Sequence, residues 1–247
     1  MPSRIKSNPH LSIVIPVFNE SRKIARDIRA VDQFLVDNRL SGEILVVDDG
    51  SRDRTSEAAG RIATGRNTEC RILRYETHRG KGYAVRFGMT RTRGRIILFM
   101  DSGSCTPCRD ILLGIRLIED GCCEIAHASR KLHDSSILRP QRLSRCISSC
   151  LFRTMVRNLF PIPRTLTDTQ MGLKVYRGGI GRELYVQCRS NGFLFDIEII
   201  LRAVRAGYRI CEFPITWSSD PDTRLSLFRT LLPLLREMAS LRTNRIV

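Results

Sequence analysis

Short apolar runs alternate with helix-length amphipathic segments through the first half of the chain, and this alternation restricts the fold more than any other feature. Five runs read as buried strands, at 11–17, 43–49, 70–75, 95–101 and 124–129. Helical patterns lie between them, at 21–36, 55–63, 80–92 and 110–119. Strands this apolar, each followed by a helix, predict an α/β fold with a mostly parallel, twisted sheet covered by helices on both faces.

Acidic residues end two of the predicted strands. Asp48 and Asp49 close the second strand and Asp101 closes the fourth. A buried carboxylate without a partner is costly, and ligands of parallel sheets bind outside the carboxyl ends of the strands. We therefore expect the three acids to face one crevice.

The charge balance favours an anionic partner. The 247 residues contain 41 Lys and Arg against 25 Asp and Glu, a formal net charge of +16. Such a surplus suits nucleic acid, an anionic membrane or a phosphorylated ligand. Aromatic residues make up 6% of the chain, and no nucleic-acid-reading motif is recognisable. We therefore expect no nucleic acid partner.

The ends of the chain and its cysteines bear on location. The first ten residues lack the apolar core of a signal peptide, and no apolar run approaches the ~20 residues that span a bilayer. Nine scattered cysteines, an odd number, fit free thiols in a reducing compartment. We expect a cytoplasmic protein that is soluble or peripheral on a membrane.

A basic segment without acidic residues spans 135–167. At about 100° per residue, arginines group on one side of a helix and apolar residues on the other. The arginines of the segment are Arg139, Arg142, Arg145, Arg153, Arg157 and Arg164, and the apolar positions are Leu143, Ile147, Leu151, Met155 and Leu159. This is either a core helix with a solvated basic face, or a helix that lies on anionic lipid or faces a phosphate. Residues 224–242 repeat the mixture of leucine and arginine, which predicts further amphipathic helix at the carboxyl end.

Four stretches resemble the inverting glycosyltransferases of family 2, which have the GT-A fold. They are SIVIPVFNE (12–20), VVDDGSRDRT (46–55), HRGKGYAVRFGM (78–89) and the strand end at Asp101. Three later segments, 128–132, 167–176 and 192–217, are similar to the polyprenyl-phosphate branch, the dolichyl-phosphate glucosyl- and mannosyltransferases, with the glucosyl pattern favoured. The likeness covers about 11–227.

This resemblance implies one glycosyltransferase domain over 1–247, with a nucleotide-binding half at about 11–130 and an acceptor- and membrane-facing half at about 131–247. The donor would be a UDP- or GDP-hexose, with glucose favoured over mannose. The residues expected to bind the donor are Pro16, Val17, Asn19, Glu20, Asp48, Asp49, Lys81, Asp101 and Ser102. Gly80 and Gly82 would let the backbone approach the diphosphate, and Lys81 would add positive charge at a helix start.

Asp101 opens the position where the family has Asp-x-Asp, a pair that holds Mg²⁺ or Mn²⁺ against the donor phosphates. Gly103 replaces the second carboxylate. The resemblance therefore implies a metal held through Asp101 in combination with the phosphates. The alternatives are that Arg and Lys share the charge, or that the chain is a weakened nucleotide-sugar-binding protein.

The acceptor decides whether a general base is needed. A hydroxyl must lose a proton, whereas a lipid phosphate is already an anionic nucleophile and needs positioning by donors such as arginine. By resemblance, Arg130 and either Arg142 or Arg145 would hold a polyprenyl phosphate. Asp168 would line the site, and it is the base to test if the acceptor is a soluble hydroxyl compound. Asp196 starts a predicted helix, where it either caps that helix or pairs with arginines near the site.

Overall fold

The computed structural model describes residues 8–103, 105–141 and 143–219, together with Glu237, Met238 and Leu241, and of 143–145 it describes the backbone. The described chain contains nine strands and seven α-helices. In chain order they are β1 (Leu11–Val17), α1 (Ile24–Asp37), β2 (Gly42–Asp49), α2 (Thr55–Gly60), β3 (Thr68–Tyr75), α3 (Lys81–Met89), β4 (Ile96–Met100), α4 (Ile111–Glu119), β5 (Ile125–Ser129), β6 (Ser136–Arg139), α5 (Leu143–Leu159), β7 (Leu173–Arg177), α6 (Gly178–Gln187), α7 (Phe195–Arg205), β8 (Ile210–Pro214) and β9 (Thr216–Ser218).

Seven strands form one sheet in the order β3-β2-β1-β4-β7-β5-β8. Strand β7 runs antiparallel to both of its neighbours, β4 and β5, and the other described pairs in this sheet are parallel. Strands β6 and β9 form a separate parallel pair. The predicted α/β class with a mostly parallel sheet is therefore confirmed.

The core lies on both faces of this sheet because successive strand residues point to opposite sides. Ile13 on β1 belongs to an apolar cluster that includes residues of α1 and α4, whereas Val14 belongs to a second cluster with α3, α6 and α7. A third cluster joins α5 to the outer side of α7 and includes Met238 and Leu241. Helices thus cover both faces, which is what apolar parallel strands require.

Two differences from the sequence prediction have identifiable causes. The first helix begins at Ile24 rather than at 21, because the backbone N–H groups of Asn19 and Glu20 bond to Ser51 Oγ and Thr55 Oγ1, at 2.9 Å each. These bonds tie residues 19–20 to the turn after β2 instead of to a helix. Strands β7 and β8, from the second half of the chain, were not predicted, since they lie outside the strand–helix alternation of the first half.

Helix α5 packs through a different face from the one expected. Val156 and Phe160 are 1% and 3% exposed, whereas Ile147 and Leu151 are 62% and 67% exposed. Ile147 is nine residues from Val156, which places it about 180° around the helix. The interpretation of a core helix that buries its Ile147–Leu151 side is therefore wrong. None of the described helices has the length and apolar character needed to cross a membrane.

Glu43, near the amino-terminal end of β2, provides a test of the buried polar contacts there. Its side chain is fully buried and accepts bonds from Ser12 Oγ (2.7 Å), Arg93 N (2.6 Å) and Arg93 Nε (2.9 Å). Because Glu43→Ala leaves these donors without their acceptor, we expect a loss of about 3 kcal/mol in the free energy of unfolding. Urea unfolding measures it.

The matched control is Glu57→Ala. Glu57 pairs with Arg61 at 3.8 Å, and both side chains are more than half exposed. Such a pair contributes at most about 0.5 kcal/mol, so the unfolding midpoint should hardly move. Equal effects of the two substitutions would contradict the assignment.

Candidate active site

The carboxyl end of β4 carries an ion pair, on the side of the sheet where we expect the donor crevice. Lys81 Nζ, at the first residue of α3, lies 2.7 Å from Asp101 Oδ1. The two side chains are 23% and 38% exposed. Burial lowers the pKa of Lys81, but Asp101 and Asp196 outweigh it and raise the pKa above its ordinary value. The pair therefore presents a fixed ammonium next to a partly exposed carboxylate.

Asp101 rests directly on the backbone of Gly172. The Asp101 N–H donates to Gly172 O at 2.8 Å, and a Cβ added to Gly172 would overlap the Asp101 carboxylate. A side chain at position 172 would therefore displace Asp101. Gly172 belongs to the 167–176 segment noted in the sequence, but the sequence did not predict its contact with the distant Asp101.

Asp49 connects the end of β2 to the loop that precedes α3. Its Oδ1 accepts from Arg79 N at 2.7 Å and its Oδ2 from Gly80 N at 3.0 Å, while His78 Nδ1 lies 2.8 Å from Oδ2. Asp49 is 3% exposed. These contacts thus hold in place the loop that leads to Lys81.

Asp48 is likewise committed to local structure. It is fully buried, its Oδ1 accepts from Ser51 N at 2.8 Å and its Oδ2 accepts from Ser56 Oγ. These bonds shape the turn between β2 and α2. Recognition of the nucleobase by Asp48 stays a prediction, and the structure adds that a base edge would have to share these oxygens.

Gly82 explains how the start of α3 meets α7. A Cβ at Gly82 would lie 2.6 Å from Ser190 O and 2.8 Å from Phe195 Cβ. Tyr83 N donates to Asn191 O at 3.1 Å. The absence of a side chain at Gly82 thus permits close packing against the loop before α7, in addition to any approach to a diphosphate.

Arg130 and Asp168 form the second ion pair of the site. Arg130 Nε and Nη2 donate to Asp168 Oδ2 and Oδ1 at 2.6 and 2.9 Å, and Arg130 N donates to Oδ2 at 3.2 Å. The guanidinium carbon lies 5.0 Å from the Trp217 ring centroid. Glu212 on β8 orients the Asp168 loop by accepting from Thr167 N (2.8 Å) and Asp168 N (2.9 Å).

This pairing sets the chemistry of Asp168. Burial raises the pKa of Asp168, but the bonds and charge of Arg130 outweigh it and lower the pKa below its ordinary value. A carboxylate held in this way stays ionised and is a weak proton acceptor. Burial lowers the pKa of Arg130, but its bonds to Asp168 and the charges of Asp168 and Asp101 raise it above its ordinary value.

The remaining predicted residues divide by location. Val17 is 3% exposed, Pro16 and Glu20 are half-buried, and Lys23 lies 3.6 Å from the Glu20 carboxylate. Ser102 follows Asp101 on the same strand end. Arg142, the side chain of Arg145 and the 224–236 segment lie outside the described residues, so the proposed roles of these two arginines stay predictions.

Lys174 is a charged residue of the site that sequence reasoning missed. Its Nζ lies 2.6 Å from Asp196 Oδ1 and donates to Met171 O at 2.8 Å, and both side chains are at most 4% exposed. Asp196 therefore pairs with a lysine, where we expected either an arginine partner or a cap of α7, whose start has no side-chain cap. A lysine inside an otherwise apolar strand was the available signal.

The site offers a divalent metal one carboxylate. Gly103 adopts φ +98° and donates its N–H to Asp27 Oδ2 at 2.8 Å. Within the described residues, no group of three or more His, Cys, Asp or Glu is arranged to hold a metal. Mg²⁺ keeps several waters and binds through one or two carboxylates plus substrate phosphates. Asp101 is therefore suited to be the protein ligand of such a metal. The remaining ligands would be oxygens of the diphosphate and water.

An α/β sheet with acids and a helix-start lysine at its carboxyl edge is the arrangement of a nucleotide-sugar transferase of GT-A fold. Residues 12–176, more than half of the chain, match glycosyl transferase family 2, and the chain belongs to this family. It is a glycosyltransferase, as the sequence predicted.

Curated relatives of this chain are named as glycosyltransferases. The chain is 27% identical to the dolichyl-phosphate beta-glucosyltransferase of Saccharomyces cerevisiae, over 94% of this chain and 74% of that protein. It is 30% identical to glycosyltransferase AglD of Haloferax volcanii, over 90% of this chain and 35% of AglD. The chain therefore spans about a third of AglD and about three quarters of the yeast protein.

Solved structures agree on the fold. Glucosyl-3-phosphoglycerate synthase of Mycobacterium tuberculosis, in complex with Mn²⁺, UDP-glucose and phosphoglyceric acid, superposes with a TM-score of 0.70 at 19% identity, over 98% of this chain and 81% of that one. Mannosyl-3-phosphoglycerate synthase of Rubrobacter xylanophilus gives 0.66 at 19% identity, over 97% and 76%. At these identities the likeness establishes the GT-A fold.

Gly172→Ala tests the seat of Asp101. Because the added methyl group overlaps the carboxylate, Asp101 must move, and a displacement of about 1 Å can cost on the order of 100-fold in kcat/KM. The rate of sugar transfer from the nucleotide sugar measures the effect. Gly179→Ala is the matched control, since nothing lies within 4 Å of its Cβ position. Unchanged kinetics in the Gly172 variant would refute the proposed seat.

Proposed function

We propose that this glycosyltransferase moves a hexose, glucose before mannose, with inversion from a UDP- or GDP-sugar to a polyprenyl phosphate of the dolichyl type. It would act as a peripheral protein on the cytoplasmic face of a membrane. The similarity to the yeast dolichyl-phosphate beta-glucosyltransferase supports the reaction class.

The observation that carries the acceptor proposal is the bidentate contact between Arg130 and Asp168. Asp168 was the candidate base for a hydroxyl acceptor, and its lowered pKa makes it a poor one. A phosphate acceptor requires no base. The same contact places a guanidinium at the crevice, and it uses two of the five N–H donors of Arg130. The N–H groups of Nη1 take no part in this contact and would be able to donate to a phosphate oxygen.

On the donor side, Lys81 and Asp101 carry the proposal. The ammonium of Lys81, at the start of α3, suits a diphosphate because helix N-termini favour anions. Ser102, Asn19 and Glu20 would line the nucleoside side. Mg²⁺ or Mn²⁺, bound through Asp101 and the diphosphate, would supply further positive charge to the leaving group.

The residues of the chain then act by positioning and by charge. An oxygen of the acceptor phosphate, oriented by Arg130, attacks the anomeric carbon from the side opposite the diphosphate. The carbon–oxygen bond to the diphosphate breaks, and the nucleoside diphosphate leaves with the electron pair. Lys81 stabilises the leaving charge. Attack from the opposite side inverts the anomeric centre, and no proton has to be transferred.

Two other functions remain as candidates. A soluble hydroxyl acceptor would require Asp168 as base, against the pairing described above. A nucleotide-sugar-binding protein without turnover is suggested by Gly103, since the second metal ligand is absent.

The decisive assay combines labelled UDP- and GDP-sugars with polyprenyl phosphate, with and without Mg²⁺ or Mn²⁺. We expect label in the organic phase and a loss of about 10²-fold or more in rate for Arg130→Met, because an arginine contact to the acceptor phosphate is removed. Label that stays with a water-soluble product would indicate the hydroxyl acceptor. Binding without turnover would indicate the weakened protein.

Arg209→Met is the matched control. Arg209 also pairs with a carboxylate, since its Nη2 lies 2.7 Å from Glu124 Oε1. It precedes β8, however, at the end of the sheet opposite the crevice. Its removal should leave the transfer rate within about twofold of wild type, because Arg209 is remote from the groups that would contact the substrates. An equal loss in both variants would mean that Arg130 acts through stability alone.

Exposed apolar side chains support the membrane proposal. Among the described residues, four large apolar side chains are more than 60% exposed, and three of them are Leu138, Ile147 and Leu151. Leu138 lies on β6, and the other two lie on the outer face of α5. This apolar surface belongs to the acid-free arginine segment, and β6 pairs with β9, which carries Trp217 next to Arg130. An anionic bilayer matches both the apolar and the basic character.

Substitution of Ile147 and Leu151 by Ser tests this surface. Each apolar side chain that enters the membrane interface contributes on the order of 1 kcal/mol or more, so we expect binding to anionic vesicles to fall by at least about tenfold. Vesicle co-sedimentation measures it, and high salt should also weaken binding. Val186→Ser on α6, 69% exposed in the wild type, should bind as the wild type does. Undiminished binding of the double variant would exclude α5 as the contact.

A further inference from the structure

A third ion pair, which is buried, lies behind the start of α3. Lys174 and Asp196 are 1% and 4% exposed, with Nζ and Oδ1 2.6 Å apart. Removing two charges from water is costly, and a buried ion pair often contributes little net stability. The pair therefore calls for an explanation other than holding the fold together.

The position of this ion pair, next to Asp101 and Lys81, suggests its role. Lys174 lies on β7 in register with Phe99 of β4, two residues before Asp101. Asp196 is the second residue of α7 and follows Phe195, against which Gly82 packs. The two strands and two helix starts thus bring four charges of alternating sign together, in the order Lys174, Asp196, Lys81 and Asp101. The first two are buried and the last two are partly exposed.

Lys81 and Asp196 are brought near each other by their chain neighbours, since a Cβ at Gly82 would lie 2.8 Å from the Cβ of Phe195. Asp196 acts on Lys81 as a second negative charge besides Asp101. Burial raises the pKa of Asp196, against the opposing effects of Lys174 and Lys81. Lysine is scarce in this chain, with five residues against 36 arginines, and two of the five take part here.

We propose that Asp196 and Lys174 are positioning residues, which hold the ammonium of Lys81 at the crevice so that it binds the donor diphosphate. Lys174 is fixed by the sheet and fixes Asp196. Asp196 attracts the Lys81 ammonium from the interior side, so that its position is set by two carboxylates rather than by Asp101 alone. An incoming diphosphate then meets an ammonium that is already in place, which reduces the ordering cost of binding. This inference rests on the proposed donor, a nucleoside diphosphate sugar.

Calorimetry with UDP, GDP, uridine and guanosine tests it, in excess Mg²⁺ and again in EDTA. The ratio of nucleoside to nucleoside diphosphate dissociation constants isolates the contribution of the diphosphate. Asp196→Asn should lower this ratio by about tenfold, as Lys81→Met does, because one charge contact of about 1.4 kcal/mol corresponds to tenfold. Binding of the nucleoside alone should not change.

A double-mutant cycle separates positioning from general damage. If Asp196 acts through Lys81, the variant that combines Asp196→Asn with Lys81→Met binds UDP or GDP no more weakly than Lys81→Met alone. Additive losses would overturn the proposal. Tyr176→Phe is the control for the buried core, since Tyr176 is buried under the same sheet face and bonds to Tyr185. It should leave the ratio unchanged.

A second variant guards against loss of folding. Lys174→Met combined with Asp196→Leu replaces the whole buried pair with apolar side chains, which proteins often tolerate. This variant should fold and still lose the diphosphate contribution; if it binds UDP and GDP like the wild type, the proposal fails. A wild-type protein that binds nucleosides and nucleoside diphosphates equally would instead overturn the proposed donor, and the positioning role with it.

Discussion

Insertion of the antiparallel strand β7 between β4 and β5 is the constraint on which the site depends. Its register sets Leu173 opposite Met100, and this brings Gly172 against Asp101. The loop before β7 carries Asp168 to Arg130 at the end of β5. Lys174, two residues into the same strand, reaches Asp196. A shift of β7 by one residue would turn the Lys174 side chain to the other face of the sheet.

The acids of the crevice have two kinds of task. Asp48 and Asp49 accept hydrogen bonds from backbone N–H groups and so hold two turns in place. Asp101 and Asp168 face cationic side chains instead. Of the three acids expected to face one crevice, Asp48 and Asp49 are buried in turns and Asp101 is partly exposed, so their shared access to a ligand stays a prediction. Asp101 is the one of the four with substantial access to a ligand, since the others are at most 5% exposed.

The sequence was most informative where contacts are local. The five strands of the first half were predicted because each is a short apolar run with a helix pattern after it. The acid positions followed, because strand ends meet at one edge of a parallel sheet. Contacts between distant segments were not predictable: Glu212 orients residues 44 and 45 positions away, and Lys174 reaches Asp196 across 22 positions. Helix α5 carries apolar residues on two sides, so its pattern alone did not reveal which side is buried.

The turn at Gly103 has a consequence for how the site could change. Its φ of +98° lies in a region that side-chain-bearing residues rarely adopt, and its N–H is committed to Asp27. An aspartate introduced at this position would meet backbone strain before it could contribute a ligand. A second carboxylate at position 103 would therefore require a local change in the backbone as well as the substitution itself.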